Sequence, residues 1–366
     1  MNGFYQRISK RSFGQVKRHW LTIAFVFGFL TDLILLNQVD DVIDNLILLF
    51  YVVLSMFSLT VLYAGISEKF GELWSLRAKE YAPYVIQYAF GGLLSGMLIF
   101  YGRSGSLFES WPFLLIIIAV IYGNEIIRDR ASRLIFNIAM LTIGILSYVV
   151  LVVPVITGLI GEWVFVGSSV LAVGIMYVFI YMLQHIVPRF IEIQKRAIIF
   201  TVGFIFIVFQ FLYFTNIIPP IPLSLKEVGI YHSVVRFENG EYQLKYEEGT
   251  WWQFWKRSDT TFHPVAGGDI FCFALVFTPT RLHTDIYHVW DYYDASQKEW
   301  IEHARLSYPI FGGRDDGYRG YTLISNYRDG KWRCSVETER GQVLGREGFT
   351  VNSTEPHEEL ITRTSQ

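Results

Sequence analysis

TNIIPPIPLSLKEVGIYH, Thr215 to His232, is where the 366-residue sequence changes character. Before it, long apolar runs alternate with short basic loops. After it, no apolar run is long enough to span a bilayer, and short alternating segments are separated by turn residues. Pro219 and Pro220 remove two backbone donors and fix both φ angles, so a helix arriving through Phe211 is expected to stop there. The stretch reads as the point where the chain leaves a membrane.

Composition supports two unlike domains. Hydrophobic residues make up 52% and charged residues 17% of the chain, which is apolar for a soluble protein. Up to Pro219 the sequence holds 15 Lys+Arg against 12 Asp+Glu, and the remainder 16 against 21. Neither half is basic enough for nucleic acid. The boundaries read as a basic cytoplasmic segment over 1–19, a seven-helix transmembrane domain over 20–218, a proline-rich linker over 219–229, a periplasmic β-sandwich over 230–352 and a polar tail over 353–366.

The amino-terminal segment carries Arg7, Lys10, Arg11, Lys17 and Arg18 and continues into a full apolar span without a small-x-small cleavage site, as a signal anchor does. Seven spans fit the length that a ~30 Å bilayer core requires of a helix: Trp20 to Asn37, Val42 to Ala64, Tyr81 to Tyr101, Trp111 to Ile127, Leu134 to Ile156, Trp163 to Leu183 and Ala197 to Phe214. The amino-terminal segment and alternate loops hold fourteen Lys+Arg, whereas the opposite short loops hold only Arg103. That asymmetry predicts a cytoplasmic amino terminus, with everything after Pro220 outside.

An acid at mid-bilayer costs about 2.5 to 3.5 kcal/mol on insertion scales, which singles out Asp32 in the first span. Gln210 in the seventh lies at similar depth, and together they define a candidate outward-facing polar pocket. Packing of Asp32 against a neighbouring helix is the competing reading. Glu109, Glu125, Gln184 and His185 read as interfacial. GGLLSG, Gly91 to Gly96, is a small-xxx-small pattern that implies close helix packing. No Gly/Pro-broken pair of half-helices marks an inverted-repeat transporter.

Beyond Ile230 the period becomes two. Tyr231 to Phe237 and Glu241 to Glu247 flank Asn239-Gly240, a hairpin turn signal. TWWQFWKRSD follows, its Trp251, Trp252 and Trp255 suited to a sugar ring, a membrane surface or a core. Six more strands are expected: Asp269 to Thr278, Thr284 to Tyr292, Trp300 to Leu306, Tyr318 to Asn326, Lys331 to Glu337 and Gln342 to Val351. They argue for an all-β, immunoglobulin-like antiparallel sandwich. The order Cys272, Trp290, Cys334 suits an inter-sheet bridge beside a packed tryptophan, and two buried free thiols are the alternative. His283, His288, Asp291, Asp294, Glu299 and His303 match no common metal-ligand spacing. The loop Gly312 to Arg319 is the better binding candidate, because glycines expose backbone donors and Arg314 and Arg319 can grip a carboxylate or phosphate. His288 and Trp290 are secondary candidates. No nucleophile elbow and no phosphate loop with lysine occurs, so no catalytic residue, cofactor or metal is expected.

PPIPLSLKEVGIYHSV, FTPTRLHTDIYHVWDYYD, YPIFGGRDDGYRGYT and GKWRCSVETERGQVLGREGF together resemble the bacterial family called domain of unknown function 2914. The resemblance covers about Pro219 to Val351, with Cys334 in place of the valine of the family's W-x-V pattern. It implies a β-rich module after a multi-helix membrane region and an envelope location, and it supplies no catalytic residues. The leading expectation is a non-enzymatic inner-membrane protein, in contact with membrane lipids, whose outer domain binds an envelope polysaccharide or a periplasmic or membrane protein. The alternative is a membrane enzyme or transporter acting on a lipid-linked glycan or similar substrate at Asp32 and Gln210.

Overall fold

The computed structural model describes residues 29–34, 36, 41–69, 71–103, 107–126, 134–219, 222–238, 240–247, 258–265, 268–279, 282–312, 317–354 and 359–365, without the side chains of 103, 107–110 and 122–126. The chain divides into two units, a helical one of Met1–Gly102, Trp111–Ile156 and Ile160–Ile218 and a β-rich one of Pro219–Gln366 with the short segments Arg103–Ser110 and Thr157–Leu159.

The helices are α1 (29–34), α2 (Val42–Ile66), α3 (Glu72–Arg103), α4 (Leu107–Ile126), α5 (Leu134–Thr157), α6 (Glu162–Ile186) and α7 (Pro188–Phe214). Among the described residues, five of them are long and apolar enough to cross a membrane: α2, α3, α5, α6 and α7. In α4 the apolar part described is only Trp111–Ile121, and most of the first expected span lies outside the described residues.

Local chemistry sets the helix ends. Asp41 starts α2 by accepting a 2.9 Å bond from the Ile43 N–H, which satisfies one donor of the first turn. Pro188 opens α7 at a position where a missing N–H costs nothing. The end of α7 departs from the expectation that Pro219 and Pro220 stop it. Asn216 takes a left-handed conformation with φ 57°, and the Ile217 and Ile218 N–H groups fold back to the Leu212 carbonyl at 2.9 and 3.1 Å. The helix is therefore capped at Thr215, upstream of the prolines.

Helices α1, α2 and α3 meet through the glycines of GGLLSG. A Cβ on Gly92 would lie 2.4 Å from the Tyr51 ring, and one on Gly96 would lie 2.5 Å from Leu48 and 3.2 Å from Leu36. Bare backbone at these two positions lets α2 and Leu36, just beyond α1, approach α3.

The β unit contains β1 (Ser224–Tyr231), β2 (Ser233–Arg236), β3 (Tyr242–Glu247), β4 (Thr261–Phe262), β5 (Ile270–Phe277), β6 (His283–Asp294), β7 (Glu299–Phe311), β8 (Tyr318–Ile324), β9 (Gly330–Thr338), β10 (Val343–Val351) and β11 (Leu360–Ser365). They form three sheets, ordered β1-β5-β8, β4-β10-β9-β6-β7 and β11-β3-β2. All pairings are antiparallel except the two-residue contact of β10 with β4.

Two expected boundaries need correction. Most of the 219–229 segment read as a linker belongs to β1, which pairs with β5. The 353–366 segment read as a polar tail supplies β11, which pairs with β3 from Leu360↔Glu247 to Ser365↔Tyr242. Both are polar enough on one side to pass for connecting sequence, and partner strands distant in the chain hold them.

The β1-β5-β8 sheet is the middle layer. Ile270 and Cys272 of β5 join a core with Trp290, Trp332, Cys334 and Phe349 of the five-stranded sheet. On the other face of β5, Phe273 packs with Tyr231, Val234, Tyr242 and Leu244, with Phe271 and Leu275 against them. A strand covered on both faces needs apolar residues at every position, and IFCFALVF has them.

Replacing Gly92 by Val is expected to lower the thermal stability of the detergent-solubilised protein by about 1 to 3 kcal/mol, because the new side chain must displace Tyr51. Gly167→Ala, at a position with nothing within 4 Å, serves as the control and leaves the melting temperature almost unchanged. Equal effects of the two substitutions would show that Gly92 is not a packing contact.

Candidate functional site

In the helical unit, Asp32 is completely buried. Tyr51 Oη donates to Asp32 Oδ1 at 2.8 Å, and Ser95 Oγ donates to Oδ2. One residue from each of α1, α2 and α3 thus closes a polar triad inside apolar surroundings. The expected pairing with Gln210 is not made: both amide atoms of Gln210 are buried without a hydrogen bond. Two cavities of about 480 and 180 Å³ in this unit are lined by neither residue. Asp32 is held by neighbouring helices, so its geometry is that of a packing contact. Gln184 and His185 lie at the end of α6. His185 is exposed, with Nδ1 2.8 Å from the Tyr181 carbonyl. The side chains of Glu109 and Glu125 lie outside the described residues.

In the β unit, Cys272 of β5 and Cys334 of β9 are joined by a disulfide. Trp290 is the direct cross-strand neighbour of Cys334. Trp290 and His288 are both 0% exposed, which corrects their reading as contact residues: period two placed them on one face, and that face is the core. Trp290 Nε1 donates to Thr322 Oγ1 at 3.1 Å. His288 reaches Thr322 Oγ1 through Nδ1 and Tyr308 Oη through Nε2, both at 3.0 Å. The two sulfurs and a His288 nitrogen lie within 4.8 Å of one another. The sulfurs are bonded to each other and both imidazole nitrogens have partners, so this group is a filled core and not an ion cage.

Other candidates have structural partners. Asp291 accepts from Arg333 Nε at 2.8 Å, and Asp294 accepts from the Ser296 N–H in the turn after β6. His303 packs edge-on against Trp332 with centroids 5.2 Å apart. His283 packs against Phe311 at 5.2 Å, and Glu299 begins β7 opposite Asp294.

Of the two loop arginines, Arg314 lies outside the described residues, as do Trp251, Trp252 and Trp255. Arg319, on β8 opposite Leu275, is only 8% exposed. Its Nε and Nη2 are buried and make no hydrogen bond. A Cβ on the next residue, Gly320, would meet the Tyr308 ring at 2.2 Å. Alternation therefore turns Arg319 to the opposite face, where Tyr242 Oη donates to its carbonyl at 3.4 Å. A guanidinium out of water with unsatisfied N–H groups is costly unless an anion reaches it.

A second polar group was not anticipated. His232, at the corner between β1 and β2, lies with Nε2 2.7 Å from Glu247 Oε1, and His263 Nδ1 lies 2.5 Å from Glu247 Oε2. Asp259 accepts from the Glu247 N–H at 2.6 Å. Burial holds the Asp259 carboxyl well above the usual carboxylate range; the Glu247 N–H opposes that rise and the Glu247 charge adds to it. No spacing motif links 232, 247, 259 and 263. The one available signal was Glu247 and His232 flanking a hairpin on nearly opposite positions.

Burial pushes His288 down to about 3 from 6.5, so below pH 6.5 the unfolded chain takes up a proton that the folded core refuses. Stability is expected to fall as pH drops from about 6.5 toward 3. Amide exchange of β6 and β9 between pH 7 and pH 5 should show this. A His288→Asn variant, less stable at pH 7, should decline about one proton less steeply. An unchanged slope would remove His288 as a source of acid sensitivity.

Residues 283–351 match the family described as "Protein of unknown function (DUF2914)". None of the curated proteins matches the chain. Among solved structures, an alkylpurine DNA glycosylase AlkC from Pseudomonas fluorescens, bound to DNA containing an abasic site analog, aligns at 12% identity and a TM-score of 0.23 over 81% of this chain and 78% of that one. A superposition that poor carries no argument about fold or function. The match to this family spans the carboxy-terminal β region from His283 in β6 to Val351 at the end of β10.

Proposed function

We propose that this chain is a multi-pass inner-membrane protein whose β unit faces the periplasm and binds an anionic group of an envelope polymer or of a partner protein at Arg319. The observation that carries the reading is the Arg319 guanidinium, withdrawn from water with Nε and Nη2 unbonded. A carboxylate or phosphate matches that fork of donors. Arg314, five positions upstream, and the glycines Gly312 and Gly313 before it belong to the same reading as the outer part of the contact.

The membrane assignment draws on the five long apolar helices and on the fourteen-to-one charge asymmetry of the loops. Seven spans, including α4 and a first helix around Asp32, give the alternation that this asymmetry needs. The Cys272–Cys334 disulfide suits an oxidising compartment. An immunoglobulin-like arrangement of the five-stranded sheet and the β1-β5-β8 sheet around Cys272, Trp290 and Cys334 is part of the same proposal.

Native mass spectrometry of the full-length protein in mild detergent tests the binding. Wild type is expected to carry a stoichiometric anionic adduct. Arg319→Ala should weaken it on the order of 30-fold or more, the cost of removing one partner of a buried charge pair, and Arg319→Lys should restore part of it. A bare wild-type mass, or an adduct indifferent to Arg319→Ala, overturns the proposal. For topology, a reporter enzyme active only outside the cytoplasm should work when fused after Gln366 and fail when fused after Arg196; the reverse pattern rejects the orientation.

A further inference from the structure

The larger cavity of the helical unit, about 480 Å³ between α6 and α7, is remote in sequence from Arg319 and has a direction of its own. Its size is that of a small-molecule site. Ile198 and Val202 are buried beneath it, whereas Val170, Tyr177 and Ile199 are exposed, so it is a trough with an open side. Gly203 widens it, since a Cβ there would meet nothing within 4 Å. The polar lining gathers at one end. Tyr181, Gln184 and Lys195 stand near the corner where α6 gives way to α7 at Val187, and Lys195 is the one charged residue of the lining. Toward Val170 and Phe206 the walls are apolar except for the Tyr177 hydroxyl.

The corner is basic. Arg189 and Arg196 are exposed on α7 before and after Lys195, and Lys69 Nζ reaches the His185 and Ile186 carbonyls at 3.3 and 3.4 Å. Glu192 is the one acid of α7. Length adds a second constraint. At about 1.5 Å per residue, Lys195 to Phe206 covers about 16 Å along α7, close to half of the ~30 Å hydrocarbon core of a bilayer. With α6 and α7 spanning the membrane in the orientation proposed above, the charged end lies at the level of the cytoplasmic headgroups and the apolar end lies near the midplane.

We propose that this trough holds one acyl chain of an anionic phospholipid from the cytoplasmic leaflet, with the lipid phosphate at Lys195. The inference rests on the membrane assignment above and not on Arg319. An amphiphile needs a cationic, wet end followed by a dry channel one leaflet deep, and the lining has that order. The Gln184 amide and the Tyr181 hydroxyl supply neutral donors for headgroup oxygens beside the Lys195 ammonium. The basic corner favours a headgroup with net negative charge over a zwitterionic one, as basic pockets between membrane helices on the cytoplasmic side do. A helix from a second copy fits less well. Close helix packing in membranes favours runs of small residues, whereas here Gly203 stands among valines, isoleucines and tyrosines.

The test uses full-length protein in mild detergent, stripped of lipid, given equal amounts of phosphatidylglycerol and phosphatidylethanolamine with the same acyl chains, and read by native mass spectrometry. Wild type is expected to retain one lipid per chain, phosphatidylglycerol at least about fivefold over phosphatidylethanolamine. Lys195→Ala should bring that ratio close to one. Gly203→Leu, which fills the trough, should lower retention of both lipids, while Gly167→Leu, at an open position outside the lining, leaves it as in wild type. Arg319→Ala leaves the retained phosphatidylglycerol unchanged, which separates it from the adduct expected at that arginine. A wild-type protein that retains neither lipid, or both equally, overturns the proposal, and so does a preference unchanged in both Lys195→Ala and Gly203→Leu. A lipid-free dimer broken by Gly203→Leu assigns the trough to a second copy and overturns it as well. Flotation with vesicles of the same two lipids distinguishes the failures. Protein that floats with them but retains no lipid in detergent removes this inference alone, whereas protein that stays out of them removes the membrane assignment on which it rests.

Discussion

The β unit depends on a strand packed on both of its faces. Ile270 to Phe277 pairs with β1 along one edge and β8 along the other, and its alternate side chains enter two separate cores. Each core has its own character. One is built from two tryptophans, a disulfide and aliphatic residues; the other is largely tyrosine and phenylalanine. Six of the strand's eight residues are buried and Phe271 and Leu275 half-buried, a large hydrophobic gain for so short a segment that requires a sheet above and a sheet below. The three-layer arrangement follows from that requirement.

Much of this was legible in the sequence, and the failures have physical causes. The change from helical to strand periodicity beyond Thr215 was visible, and helix limits such as Val42 and Leu134 follow the apolar windows. The cap on α7 was missed because Asn216 acts through a left-handed backbone conformation, whereas the prolines announce themselves by residue type. IFCFALVF was read as an ordinary strand of a two-layer sandwich. Its unbroken apolar run was the signal for a middle layer, since a half-exposed strand would have alternated.

The candidate site was less legible. Period two showed that His288 and Trp290 share a face, but periodicity does not say whether that face meets solvent or another sheet. Asp32 was marked out by cost alone, and its partners Tyr51 and Ser95 are polar residues that insertion scales tolerate. The His232, Glu247, Asp259 and His263 group spans 32 positions and three segments, and only the pairing of β2 with β3 and the return through β4 bring its members together. Arg319 stood out by sequence and remains the group with the least satisfied chemistry, though for burial and not for display on a loop.

The disulfide and the Thr322 contacts also have a mechanical consequence. A single covalent link between two stacked sheets is a pivot, about which the layers can still turn. Thr322 is the cross-strand neighbour of Cys272, so its bonds to His288 and Trp290 form a second tether about one strand spacing, roughly 4.8 Å, from the first. Two tethers at separate points remove the rotational freedom that one leaves. The middle and five-stranded sheets are thereby locked against twist as well as separation, and reduction of the disulfide alone would leave them hinged on polar contacts that water can enter.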